Sequence, residues 1–331
     1  MKLNNITFEQ DILKCIKSEF ANFNQNLPED ISLIDALFVY RNWRQRFIGP
    51  GSREVFYSKE LKNNPSFKNN NFRKVIEKIE YKLKNYDDLT PFLSKGIADH
   101  PIVIPNNPNN EKDRDLLLNS FGIHHLHLGS GFENKEKFGI SFLKRGNELL
   151  IAYVQKDKVY FIDILEHDVF PYEKKIFTIM QNNWPELLKP FEMEYLIDIQ
   201  PKPTNNEMKD LVKLHINAAV EINNKFYSFG TQTMNGYNTN GRFDIISFIK
   251  QINQDVVLIE GEKNKIKSEL IKKIKKNIEN LDLHIVIKNG LFFYVEEQTK
   301  ATIYLDLKEN KRLHIFSTYC VLGTHSYDLN S

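Results

Sequence analysis

Cysteine is almost missing: Cys15 and Cys320 are the two in 331 residues, at opposite ends and without CxxC spacing. That argues against a disulfide framework and against a cysteine-built zinc site, and fits a reducing compartment. Glycine (14) and proline (12) are scarce, which argues against fibrous repeats and wholesale disorder. No apolar run approaches the roughly 18 residues of a membrane span, and the opening MKLNNITFEQ has no apolar signal core. The expectation is a cytoplasmic chain with no membrane partner. A charge excess is missing too: 45 Lys and Arg face 43 Asp and Glu, for a net charge of +2. Any nucleic-acid contact must therefore be a local patch. Arginine is rare, nine of those 45 cations. In a chain that defaults to lysine, each planar guanidinium carries more information, because only it grips phosphate or carboxylate bidentately.

What is present suffices for a core: 41% hydrophobic residues and 12% aromatics, with length for two or three domains of about 150 residues. The pattern predicts an α+β protein in three consecutive parts: an N-terminal helical segment (1–99), a central antiparallel sheet with a following helix (100–189), and a C-terminal α+β domain (190–331). Helical stripes run through Phe8–Phe23, about Leu33–Phe47, and Phe72–Leu83. A Pro- and Asn-rich linker covers 100–113. Four strand-type runs follow: FGIHHLHLG, KFGISFLK, ELLIAYVQ and KVYFIDIL. The last two, joined at Lys156-Asp157, are apolar on both faces, as expected of central strands covered on each side. A helix at about Glu173–Leu188, interrupted at Trp184-Pro185, completes this part. Beyond it come strand runs LVKLHINAAVEI and KFYSFG around Asn223-Asn224, a polar loop, a short helix, a separate basic helix over 261–281, and three strands. Asn289-Gly290 joins the first two of these strands as a hairpin.

Histidine marks the first candidate site. In GIHHLHLG, alternation puts Ile123, His125 and His127 on one face and His124, Leu126 and Leu128 on the other, with the two like-facing imidazoles about 7 Å apart along the strand. His167 ends the run VYFIDILEH, where strand ends commonly carry function. Arginine marks the second: Arg41, Arg44, Arg46 and Arg53 crowd into RNWRQRFIGPGSREV beside Trp43 and Phe47, a combination that grips phosphates and splayed bases. A solvated helix end is the alternative reading. No GxGxxG, P-loop, GxSxG or HExxH pattern occurs.

The run HHLHLG (124–129), LLIAYVQ (149–155), the turn Lys156-Asp157, VYFIDILEH (159–167) and Tyr172 resembles the sheet of the RelE/ParE toxin superfamily, small messenger-RNA interferases or gyrase poisons. The similarity spans about residues 120–175 and does not extend beyond 190. Two departures stand out. His125 and His127 occupy the place of a paired arginine in the family, and the eleven residues SGFENKEKFGI are inserted after that strand.

The resemblance implies a metal-independent ribonuclease of toxin–antitoxin type, acting on RNA in growth control or phage defence. An antitoxin or another protein would be its partner, and no cofactor is expected. Attack of a ribose 2′-OH on its own phosphate needs a base, an acid and cationic donors, and histidine suits both proton roles. On this reading His125, His127 and His167 move protons. Arg41, Arg44, Arg46, Arg53, Lys144 and Arg145 hold phosphate, Lys144 and Arg145 from the adjacent strand. Tyr172 stacks a base or donates a proton. Two alternatives stand beside it: a non-catalytic binding or assembly module whose histidines are structural, and a hydrolase in which His-x-His with His167 or Asp163 holds zinc or manganese.

Overall fold

A computed structural model describes residues 5–49, 51–99, 102, 115–129, 131–133, 136–167, 170–229, 239–275, 277–288 and 291–303. In chain order its elements are α1 (Asn5–Ala21), α2 (Leu33–Arg44), β1 (Glu54–Tyr57), α3 (Lys59–Asn63), α4 (Pro65–Lys68), α5 (Asn70–Lys84), α6 (Gly96–Asp99) and α7 (Leu116–Phe121). Then follow β2 (Ile123–His127), β3 (Glu148–Val154), β4 (Lys158–Glu166), α8 (Lys174–Asn183), α9 (Pro185–Leu188) and α10 (Asn205–Lys213). The last are β5 (Ala219–Ile222), β6 (Lys225–Ser228), α11 (Thr239–Ile274), β7 (Leu283–Lys288), β8 (Leu291–Glu296) and β9 (Ala301–Ile303). The protein is α+β. No helix among the described residues is long and apolar enough to cross a membrane.

Two compact units arise, and they are not consecutive in sequence. The described residues of Met1–Arg44 and Gly241–Ser326 form one, those of Gln45–Asn240 the other. This differs from the three successive parts expected, because the apolar stripes of α1 and α2 are completed by the C-terminal sheet. Phe8 meets Tyr294 at 5.2 Å between ring centroids, and Phe292 meets Tyr40 at 6.4 Å and Phe248 at 4.7 Å. Asp11 on α1 accepts hydrogen bonds from the backbone N–H of Ile285 on β7. The short helix and separate basic helix expected before that sheet are one helix, α11, with Ile266 and Leu270 buried beneath its lysines.

The other unit is built on a four-stranded sheet in the order β1-β4-β3-β2. β2, β3 and β4 are antiparallel, whereas β1 joins parallel to β4, so the sheet is mixed rather than wholly antiparallel. The central positions of β3 and β4 match their two-faced apolar sequences. One face carries Leu126, Leu128, Leu150, Ala152 and Phe161 against Ile76, Ile79 and Leu83 of α5. The other carries Ile123, Leu149, Ile151 and Ile162 against Ile176, Phe177 and Met180 of α8, with the β5–β6 hairpin beyond. The turn at Asn223-Asn224 has φ of 49° and 60°, the left-handed pair that a two-residue hairpin requires. Trp184 breaks the helix ahead of Pro185, as expected.

Two strand expectations fail. KFGISFLK makes only the isolated bridges Lys137↔Ile140 and Phe132↔Leu143, with Phe138 and Gly139 at positive φ turning the chain instead of extending a ladder. LVKLHINAAVEI divides between the end of α10 and β5, because a Thr204–Glu207 capping box starts a helix upstream and carries it through Val212. The helix expected to reach Phe47 stops at Arg44. The linker at 100–113 (Ile102 excepted), residues 230–238 of the polar loop and Asn289-Gly290 lie outside the described residues.

Ser58 ties α3 to the sheet: its buried Oγ donates to the Ile162 carbonyl at 2.5 Å and accepts from the Leu61 N–H at 2.8 Å. Removing that hydroxyl uncaps a helix and orphans a buried carbonyl. Ser58→Ala is expected to cost about 1–3 kcal/mol, read as a lower urea midpoint with an unchanged slope.

Candidate active site: an imidazole cluster at the sheet edge

β2 is an edge strand, and its alternation falls as expected. Leu126 and Leu128 are each 1% exposed in the α5-side core, while Ile123 joins the α8-side core. His125 and His127 continue the Ile123 face along the edge strand, paired with the core residues Ile151 and Leu149 of β3. Their ring centroids lie 5.8 Å apart, and His167, just past the end of β4, is 5.6 Å from His127. The three imidazoles expected to act together are therefore in ring contact. Phe170 closes the group, edge-on to His125 at 4.8 Å and 6.0 Å from His167.

The expected openness of this wall is not what the fold provides. His127 is 3% exposed and the His125 side chain 11%; of the three, His167 is the exposed one. The recess closes because the chain after β2 folds back over it. A Cβ on Gly129 would lie 1.6 Å from the Lys144 carbonyl oxygen, so only glycine lets the two backbones pass. Lys144 donates its own N–H to the Gly131 carbonyl at 2.9 Å. The contact presents Lys144 and Arg145 at the rim. They occupy the loop before β3, not the strand itself; both are exposed, and neither makes an ion pair among the described residues.

The electrostatics follow from that enclosure. Burial pushes the His127 imidazole down to about 3, with the neighbouring His125, Arg145, His167 and Lys95 adding to the penalty on a second proton. His167 is also lowered, first by partial burial and then by His125 and Arg145. Both rings are thus neutral near pH 7. Neither nitrogen of His127 has a hydrogen-bond partner among the described residues.

Asp115 was not legible as part of the site. Its Oδ1 caps α7 by accepting the Leu118 N–H at 3.0 Å, while Oδ2 stands 3.4 Å from His125 Nδ1. The sequence signal was there, an Asp directly before the apolar run LLL, but it announced a helix cap and nothing more.

Several expected site residues do other work. Tyr172 is 1% exposed, stacked on Phe177 at 5.6 Å and near Phe121 at 5.8 Å, and burial raises its hydroxyl above the usual range. It offers no free face to a base and no ready proton. Arg53 is 2% exposed and donates to the backbone carbonyls of Gly49, Gly51 and Gln155. Arg46 is buried and donates to the Gly96 carbonyl. Arg41 is buried in the other unit, where its Nε and Nη2 donate to Asp244 Oδ2 at 3.0 and 2.6 Å. Arg44, also in that unit, lies 5.7 Å above the Trp43 ring. Arg41, Arg46 and Arg53 are thus buried in folding contacts, while Arg44 is half-buried. Asp163, the alternative metal ligand, accepts from Asn64 Nδ2 and Lys175 Nζ, each at 2.6 Å. Among the described residues no group of three or more His, Cys, Asp or Glu side chains is arranged to hold a metal ion.

The neutral burial of His127 carries a pH signature. A depressed folded-state value means that the unfolded chain binds the extra proton from pH 6.5 downward while the folded chain does not. Stability is therefore full above 6.5 and falls as pH drops toward about 3. Between pH 7 and 5 the loss from this ring is about 2 kcal/mol. Urea unfolding at the two pH values is expected to show that loss in the wild type and a loss smaller by about that amount in His127→Leu; equal pH dependence in both proteins would refute neutral burial. Gly129→Ala is expected to lower the thermal midpoint and disturb the Lys144–Gly146 loop, seen as amide shift changes there. No protein-family model, no curated protein and no solved structure matches the chain.

Proposed function

We propose that this protein is a metal-independent ribonuclease that works in the cytoplasm, with the imidazole cluster of the 45–240 unit as its centre. The reading agrees with the RelE-like pattern of β2 to Tyr172, and one observation carries it: His127 lies within 6 Å of both His125 and His167, near the exposed cations Lys144 and Arg145, which form no ion pair among the described residues. Chains of neighbouring titratable groups with strongly moved proton affinities are typical of sites that move protons.

The roles follow from exposure and charge. His167 is at the surface and neutral at pH 7, so it takes the proton of the attacking 2′-OH. Lys144 and Arg145 hold the phosphate and meet the charge that develops on it. His125, backed by the Asp115 carboxylate, passes to the leaving oxygen a proton that its Nε2 has first taken up from water. His127 does not serve as an acid at neutral pH; it keeps the recess dry and the flanking rings apart. RNA is then the substrate, and a neutralising protein partner is the expected regulator.

A second reading, a non-catalytic binding module, is favoured by one fact, the burial of His127. Cleavage of a fluorogenic RNA oligonucleotide in EDTA separates the two. His167→Ala is expected to lower kcat about 10²–10⁴-fold with its thermal midpoint unchanged. Activity in the wild type is expected to fall on the acid side as His167 takes a proton. Arg145→Ala, by removing a like charge, moves that acid limb to higher pH. An inactive wild type, or a fully active His167→Ala, contradicts the proposal.

A further inference from the structure

We infer that Asp115 is a positioning residue: one carboxylate both starts helix α7 and sets which nitrogen of His125 carries the proton. The two oxygens face different ways. Oδ1 accepts the Leu118 N–H at 3.0 Å, as an N-cap acceptor must, and this fixes the rotamer. Oδ2 is then left 3.4 Å from His125 Nδ1, a nitrogen shielded from solvent and without any other hydrogen-bond partner among the described residues. The contact is at ion-pair range.

Chemistry decides the tautomer. A lone pair on a buried Nδ1 would face a carboxylate oxygen, two acceptors in contact with no proton between them. A proton on Nδ1 turns that repulsion into attraction. His125 is therefore held as the Nδ1–H form, with its lone pair on Nε2, and Nε2 is the nitrogen that exchanges protons. Phe170, edge-on to the ring at 4.8 Å, restrains it from turning over. The helix cap thus becomes part of the site's machinery, because the same rotamer serves both contacts. The consequence for turnover rests on the ribonuclease reading above, whereas the tautomer assignment does not.

Asp115→Asn separates the two jobs. Asparagine still caps α7 through its side-chain oxygen, which leaves its NH₂ facing His125 Nδ1 and reverses the preference to the Nε2–H form. Asp115→Ser also keeps a cap and removes the carboxylate, and it serves if the first variant folds poorly. The readout is the ¹⁵N imidazole spectrum of His125 in the full chain at pH 7.5, alongside the thermal midpoint and RNA cleavage. The wild type is expected to show the Nδ1–H pattern. Asp115→Asn is expected to show the Nε2–H pattern with a thermal midpoint within a degree or two of the wild type, and a kcat at least tenfold lower at unchanged KM. An unchanged tautomer in Asp115→Asn overturns the inference. A switched tautomer in a protein that cleaves no RNA in either form upholds the positioning and removes the ribonuclease reading alone.

Discussion

Burial of Leu126 and Leu128 on the α5 side of the sheet is the constraint from which the site follows. Each leucine removed from water contributes roughly 1.5–3 kcal/mol, and both are 1% exposed. A strand has two faces only, so their burial on one side sends His125 and His127 to the other, at the flank of the core formed with α8. Slipping the register by one residue would exchange leucines for imidazoles in a packed apolar layer, which fixes β2 against β3. Gly129 then lets the chain fold back closely enough to bring Arg145 to the rim. Ordinary packing forces thus assemble a polar cluster whose buried middle ring is held neutral.

The sequence was most informative where a local period carried the answer. The alternation of β2, the two-sided burial of β3 and β4, the helix broken at Trp184 and the Asn223-Asn224 turn each depend on neighbours within a few residues. The parallel strand β1 escaped notice because EVFY is short and its partner β4 lies about a hundred residues away. For the same reason no local pattern revealed that α1 and α2 share a core with β7 and β8: the bond from Cys15 Sγ to the Ile285 carbonyl spans 270 residues.

The candidate site was half legible. Strand spacing and a strand end brought His125, His127 and His167 together on paper, and the fold does bring their rings into contact. The degree of enclosure was not legible, since it depends on the loop crossing at Gly129 rather than on β2. Much of the arginine run is occupied by folding contacts, for a physical reason. A guanidinium offers five donors, and a folding chain uses them wherever carbonyls converge, as Arg53 does with three backbone oxygens and Arg41 does with Asp244. Asp115 went unseen as a site residue because its second oxygen has no sequence signature; only the cap does.

The proposed site rests on a recess that holds its middle ring buried and neutral. An NMR pH titration that follows the ring signals of all three histidines in the intact protein tests this most directly. The account predicts that His127 stays neutral from pH 8 to 5 while His167 titrates below the ordinary histidine value. A His127 that gains its proton near pH 6.5, like a solvated side chain, would contradict it.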